Sequence, residues 1–150
     1  MATVESIAEL IKHWQSTGVL LNPGASLEQI SATEKVSGLR IPDGLRMLYQ
    51  QANGMAEGES DSQLFYFWPV ERLGPERKEW GVPNDLPILL FGDFLMASHA
   101  YGVLCDGADL GSVHIFHGPT TEKVADSLDS FFTAVVKDPD SVHLLGDNAV

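Results

Sequence analysis

The four residues Ile88-Leu89-Leu90-Phe91 are apolar at both strand parities. A strand sends alternate side chains to opposite faces, so a run without alternation belongs to a central strand covered on both sides. The rest of the chain must supply that cover. Upstream, Val4, Ile7, Ala8, Ile11 and Trp14 keep helical spacing behind a Thr3 N-cap, and Gly18 ends the run. Ser26-Leu27-Glu28-Gln29 has the form of a capping box and predicts a helix from Leu27 to Ser37, stopped at Gly38. Ile41-Pro42-Asp43 opens a third helix through Leu45, Leu48, Tyr49 and Ala52, with Asn53-Gly54 as its stop. Leu64 to Trp68 reads as an aromatic strand closed by Pro69. Tyr101 to Cys105 and Ser112 to His117 read as a hairpin around the turn-rich segment 106–111. Leu128, Phe131, Phe132 and Val135 return to helical spacing after Ser127. Helices, then strands, then a helix predict an α+β fold: one domain over residues 1–150, with helices packed on a mainly antiparallel sheet.

Charge limits what such a domain can bind. Nine Lys and Arg stand against 21 Asp and Glu, a net charge of −12. The imbalance grows along the chain: no Lys or Arg lies between Lys78 and Lys123, where Glu79, Asp85, Asp93, Asp106, Asp109 and Glu122 all fall. Direct nucleic-acid binding needs cations to replace phosphate counterions, so this composition excludes it and fits a basic macromolecular partner.

Cys105 is the sole cysteine, so no internal disulfide can form. The first ten residues lack a basic n-region and carry Glu5 and Glu9, unlike a signal peptide. No apolar run approaches the roughly 18 residues of a membrane span. The expected compartment is the cytoplasm.

Chemistry-bearing residues are few. His114 and His117, three apart on a strand, point to opposite faces and cannot close on one metal ion. Cys105 with His99, His114 or His117 has the elements of a nucleophile and base, yet it ends an apolar strand, where a cysteine behaves as a small buried hydrophobe. Asp106 and Asp109 lack the further ligands of a calcium loop and read as turn residues. No spacing singles out a pair of carboxylates, and no glycine-rich phosphate motif occurs. No catalytic residue, cofactor or metal is expected. Glu34 breaks a local rule, since its spacing from Leu27 and Ile30 puts a carboxylate on the apolar stripe of the second helix. It should accept hydrogen bonds from backbone N–H groups or from an Arg or Tyr; the alternative is a general acid.

The sequence Ala25-Ser26-Leu27-Glu28-Gln29-Ile30, followed by Glu34, Gly38-Leu39, Ile41-Pro42, Leu45, Leu48-Tyr49 and Asn53-Gly54, resembles the opening signature of the SUKH superfamily. Phe91-Gly92-Asp93 and the closing stretch from Ser127 to Phe132 extend the likeness, which runs from about Met1 to Asp138 and leaves a short tail. The stretch from Pro69 to Pro87 matches no motif of that pattern. The resemblance implies an α+β domain without catalytic residues. It includes the yeast cell-wall assembly regulator, a regulatory interaction module, and bacterial immunity proteins that neutralise toxins acting on nucleic acid.

Resemblance and charge together suggest an inhibitor of a basic toxin domain, acting as a monomer or weak homodimer, with carboxylates standing in for phosphate. The expected partner contacts are Glu57, Glu59 and Asp61 in one loop and Asp93, Asp106 and Asp109 in the other acidic segment, with Trp80 as an aromatic anchor. A regulatory module of the same fold and an enzyme using Cys105 or a carboxylate are the competing readings.

Overall fold

A computed structural model describes residues 3–95, 97–117 and 121–143. Three helices come first: α1 (Thr3–Ser16), α2 (Leu27–Ser37) and α3 (Asp43–Gln51). Strand β1 (Phe65–Phe67) leads into α4 (Val70–Glu79). Then come β2 (Ile88–Phe94), β3 (His99–Leu104), β4 (Val113–Phe116) and β5 (Thr121–Ala125), and the described chain closes with α5 (Leu128–Lys137) and α6 (Asp140–His143). All neighbouring strands pair antiparallel in the order β1-β2-β3-β4-β5. The α+β architecture is therefore as the sequence predicts.

Local chemistry sets the helix ends. Ser26 Oγ accepts from the Gln29 N–H and Gln29 Oε1 accepts from the Ser26 N–H, so two free donors at the start of α2 satisfy each other. Gly38 ends α2 at φ 73°, a left-handed conformation that glycine adopts without a Cβ clash. Ser127 caps α5 through the Ser130 N–H.

Strand β2, which lies between β1 and β3 rather than at the centre of the sheet, is buried along its whole length. On one face Trp14 of α1 stacks on Phe65 and Phe67, Tyr49 of α3 stacks on Phe67, and Phe131 of α5 meets Phe65, Phe91 and Tyr101. The pleat sends Tyr66 to the other face. There Arg72 of α4 lies over the rings of Tyr66 and Trp68, and α2 backs α4 through the Thr33 hydroxyl, which donates to the Val70 carbonyl. The pairing of β2 with β3 shifts between Leu90 and Gly92. This bulge lets Phe91 reach Phe131 while Asp93 sits opposite Tyr66 on the α4 face.

Three elements differ from expectation. The stretch from Pro69 to Pro87 holds α4, whose pattern is obscured by Gly74 and by Pro75 within the helix. Trp80 is the C-cap of this helix. The polar segment Thr-Glu-Lys-Val-Ala forms edge strand β5, since pairing with β4 needs backbone groups rather than apolar side chains. Part of the tail forms α6, with Val142 buried; residues 144–150 lie outside the described residues. The inward stripes are also narrower than read, because Val4 and Leu27 are exposed while Ile7, Leu10, Trp14 and Ile30 fill the core. No helix among the described residues is long and apolar enough to cross a membrane.

Candidate functional site: an acid-lined recess at one end of the sheet

Each of the chain's three tryptophans donates its indole N–H to a carboxylate. Trp14 reaches Asp61 Oδ2 at 3.4 Å, Trp68 reaches Asp93 Oδ2 at 2.7 Å and Trp80 reaches Glu76 Oε1 at 3.1 Å. A buried carboxylate without donors is costly, so these bonds explain how acids enter an aromatic interior.

Asp61 and Asp93 are accordingly interior residues, 4% and 8% exposed. Asp61 Oδ1 accepts from the N–H groups of Gln63 and Phe65 and shapes the turn that starts β1. Burial raises its pKa, and the bonds from Phe65, Gln63 and Trp14 hold the rise back. Burial also raises the pKa of Asp93, opposed by the Trp68 bond, the Ala97 N–H and the Arg72 charge. As open-surface contacts these two expectations need correction. Asp61 holds the fold together, and Asp93 lies at the floor of a recess.

That recess has a volume of about 360 Å³ and is lined by Glu59, Leu64, Tyr66, Arg72, Asp93 and Ala97, among others. Arg72 is held by Glu76 at 3.1 Å and stacks 4.6 Å from the centre of the Trp68 ring. Glu76 also takes the Trp80 indole, and the Trp80 and Trp68 rings lie 6.4 Å apart. Trp80 is thus a half-buried support for the Trp68–Arg72 stack and packs against the core. Glu59 Oε1 accepts from the Leu20 N–H at 2.9 Å, which fixes the loop carrying Glu57 and Glu59 over the end of the sheet.

Asp106 and Asp109 lie elsewhere. Both are exposed in the turn between β3 and β4, where Asp106 accepts from the Gly107 N–H and the Asp109 carbonyl accepts from Ser112. In the register, Phe65 pairs with Phe94 at one end of β2, while Ile88 pairs with Leu104 at the other. The loop before β1 and the turn after β3 are therefore separated by the length of β2, about 20 Å at ~3.3 Å per residue. The structure brings Glu59 and Asp93 together, with Glu57 and Asp61 nearby, and places Asp106 and Asp109 at the opposite end. Tyr66 and Arg72 were missed by the sequence reading. Arg72 belongs to the unrecognised α4, and Tyr66 carried no signal beyond its place in an aromatic strand.

The other chemistry-bearing residues are occupied structurally. Glu34 Oε2 accepts from the Ile41 N–H at 2.8 Å and from Arg46 at 2.6 Å, the hydrogen-bonded role expected of it. Burial pushes the Cys105 thiol up to about 12, the reverse of nucleophile activation, and its sulfur donates to the Val103 carbonyl. His114 bonds the Ser112 hydroxyl at 2.9 Å, whereas His99 meets the Tyr101 hydroxyl at 3.4 Å. Among the described residues no group of three or more His, Cys, Asp or Glu is placed to hold a metal ion.

The chain is thus an α+β domain with helices packed on one antiparallel sheet and an acid-lined recess at one sheet end. The model of the SMI1/KNR4 family (SUKH-1) matches residues 24–134, more than half of the chain, and the protein belongs to that family. The match begins after α1 and ends within α5. The family comprises generally non-enzymatic domains of the immunity and regulatory type. No curated protein matches the chain.

Proposed function

We propose that this protein is a non-catalytic, cytoplasmic immunity protein that binds a basic toxin domain one to one and covers its substrate-binding surface. One observation carries the reading: in a family of interaction domains, this chain has a net charge of −12, and much of its positive charge is already engaged within the fold. Arg40, Arg46, Arg72 and Lys123 are paired with Asp43, Glu34, Glu76 and Asp126. Arg77 donates to the carbonyls of Pro83, Leu86 and Ile88. Glu57, Asp85, Asp106, Asp109 and Glu122 meanwhile stand exposed. A surface of this kind attracts a basic partner and raises its association rate.

The test is titration calorimetry against a toxin domain encoded beside this chain. Affinity should fall at least tenfold between low and high salt, and again with Asp106→Lys plus Asp109→Lys. Affinity indifferent to both changes would overturn the electrostatic reading. Deletion of the gene should sensitise cells only when the toxin is present; a defect without toxin would point to a regulatory module instead.

A further inference from the structure

The recess at the Phe94 end of the sheet is bordered by apolar side chains held out in solvent. Leu20, Leu64 and Leu95 are 65%, 45% and 40% exposed. Leu64 lines the recess, the Leu95 N–H donates to the Leu64 carbonyl, and the Leu20 N–H donates to Glu59, another lining residue. Exposed leucines grouped around a concavity, each losing hydration when covered, mark an interaction site more than singly scattered ones do. The backbone here is unusual as well. Leu64, Leu95 and Ala97 have φ of 69°, 55° and 68°, and they are the positive-φ residues other than glycine among the described residues. A side chain in that conformation is strained, and such positions cluster where a surface is shaped for binding.

Charge decides what fits. Two carboxylates, Glu59 and Asp93, line the recess together with one cation, Arg72. The guanidinium of Arg72 already has its counter-ion in Glu76 and its stacking partners in Tyr66 and Trp68. An incoming anion would meet Glu59 and Asp93 and would have to displace Glu76. An incoming cation finds two carboxylates, Glu59 and Asp93, as acceptors. We infer that this recess receives a single Lys or Arg side chain, presented by a partner protein on a loop with apolar neighbours that cover Leu20, Leu64 and Leu95. The inference deepens the reading of the protein as a partner of basic toxin domains and rests on it: the recess supplies the anchoring contact, while the distant Asp106–Asp109 turn supplies steering.

The three indole N–H signals in a nitrogen-correlated NMR spectrum report the site directly, because each indole belongs to a different carboxylate. The probe is the peptide acetyl-Gly-Leu-Arg-Leu-Gly-amide, compared with the same peptide carrying neutral citrulline in place of arginine. The arginine peptide should shift the Trp68 indole signal and the Leu64 and Ala97 amides while leaving the Trp14 indole in place. It should bind at least fivefold more tightly than the citrulline peptide. Glu59→Gln, whose amide oxygen can still accept from the Leu20 N–H, should weaken it about threefold or more, and Leu95→Ser should weaken both peptides. Equal binding of the two peptides, or shifts confined to the 106–111 turn, overturns the inference. If the peptide shifts appear but no toxin is neutralised, the recess stands and the immunity reading fails. If a toxin binds the wild type and the Glu59→Gln and Leu95→Ser variants equally, the immunity reading stands and the recess is not its anchor.

Discussion

Trp68 and Asp93, 25 residues apart, are joined by an indole N–H donating to a carboxylate oxygen at 2.7 Å, beneath the guanidinium of Arg72. The bond ties β1 to the bulged end of β2 and sets the floor of the recess. Losing it leaves a buried carboxylate short of a donor. Trp68→Phe should therefore cost about 1–3 kcal/mol beyond its packing loss. Asp93→Ala should cost a similar amount, and Asp93→Asn, which keeps an acceptor, less than half as much. Urea denaturation midpoints of the three variants check the order.

The Glu34–Arg46 pair is about four-fifths buried at both side chains and shares its carboxylate with the Ile41 N–H. Glu34→Ala should destabilise by about 1–3 kcal/mol, because it removes the acceptor of two donors. The Arg46 coupling alone, from a double-mutant cycle with Arg46→Met, should be about 1 kcal/mol and shrink in high salt.

His99 titrates at about 4 in the fold instead of 6.5, because burial disfavours its charged form and His117 adds to the effect. The unfolded chain takes up this proton near pH 6.5 while the native protein refuses it. The stability that a neutral His99 contributes is therefore complete above pH 6.5 and lost as pH falls toward 4. His114, lowered by burial and then by Lys123, acts in the same direction. Asp61 and Asp93, whose pKa values are raised, bind protons in the fold before the unfolded chain does and offset part of that loss at the acid end. Melting temperature should fall between pH 7 and pH 5. His99→Phe, which stays stackable on Phe94, should flatten that fall.

Gly54 has a φ of 76°, and a Cβ there would stand 2.4 Å from the Pro69 nitrogen and 2.6 Å from the Trp68 carbonyl carbon. Both obstacles are backbone, so nothing flexible can yield. Gly54→Ala should cost more than about 2 kcal/mol, whereas Gly38→Ala, with open space around it, should cost only about 1 kcal/mol for its backbone conformation. Thermal melts of the two variants separate a packing requirement from a conformational one.

Cys105 is 8% exposed, with its thiol raised by burial. An aromatic disulfide reagent should label the native protein only at the rate at which it opens and label the urea-unfolded protein at once. Rapid stoichiometric labelling under native conditions would contradict the buried environment.

The sequence by itself determined what is settled within a turn of chain. The Ser26–Gln29 capping box spans four residues, the Gly38 stop lies directly after its helix, and the unalternating 88–91 run identified a strand covered on both faces. Signals of that range need no knowledge of the fold, because the donors and acceptors are neighbours in sequence. Helix α4 and strand β5 escaped because one holds Pro75 and the other is a polar edge, so neither shows the periodicity that burial imprints. The fate of the acids was decided only by tertiary structure. In composition Asp61 and Asp93 are indistinguishable from Asp106 and Asp109, yet the first two are drawn inside by indole donors 47 and 25 residues distant, and the last two stay in a solvated turn. A carboxylate's environment depends on which donors the fold brings to it, and partners that far apart in sequence meet only once the sheet and its covering helices have assembled.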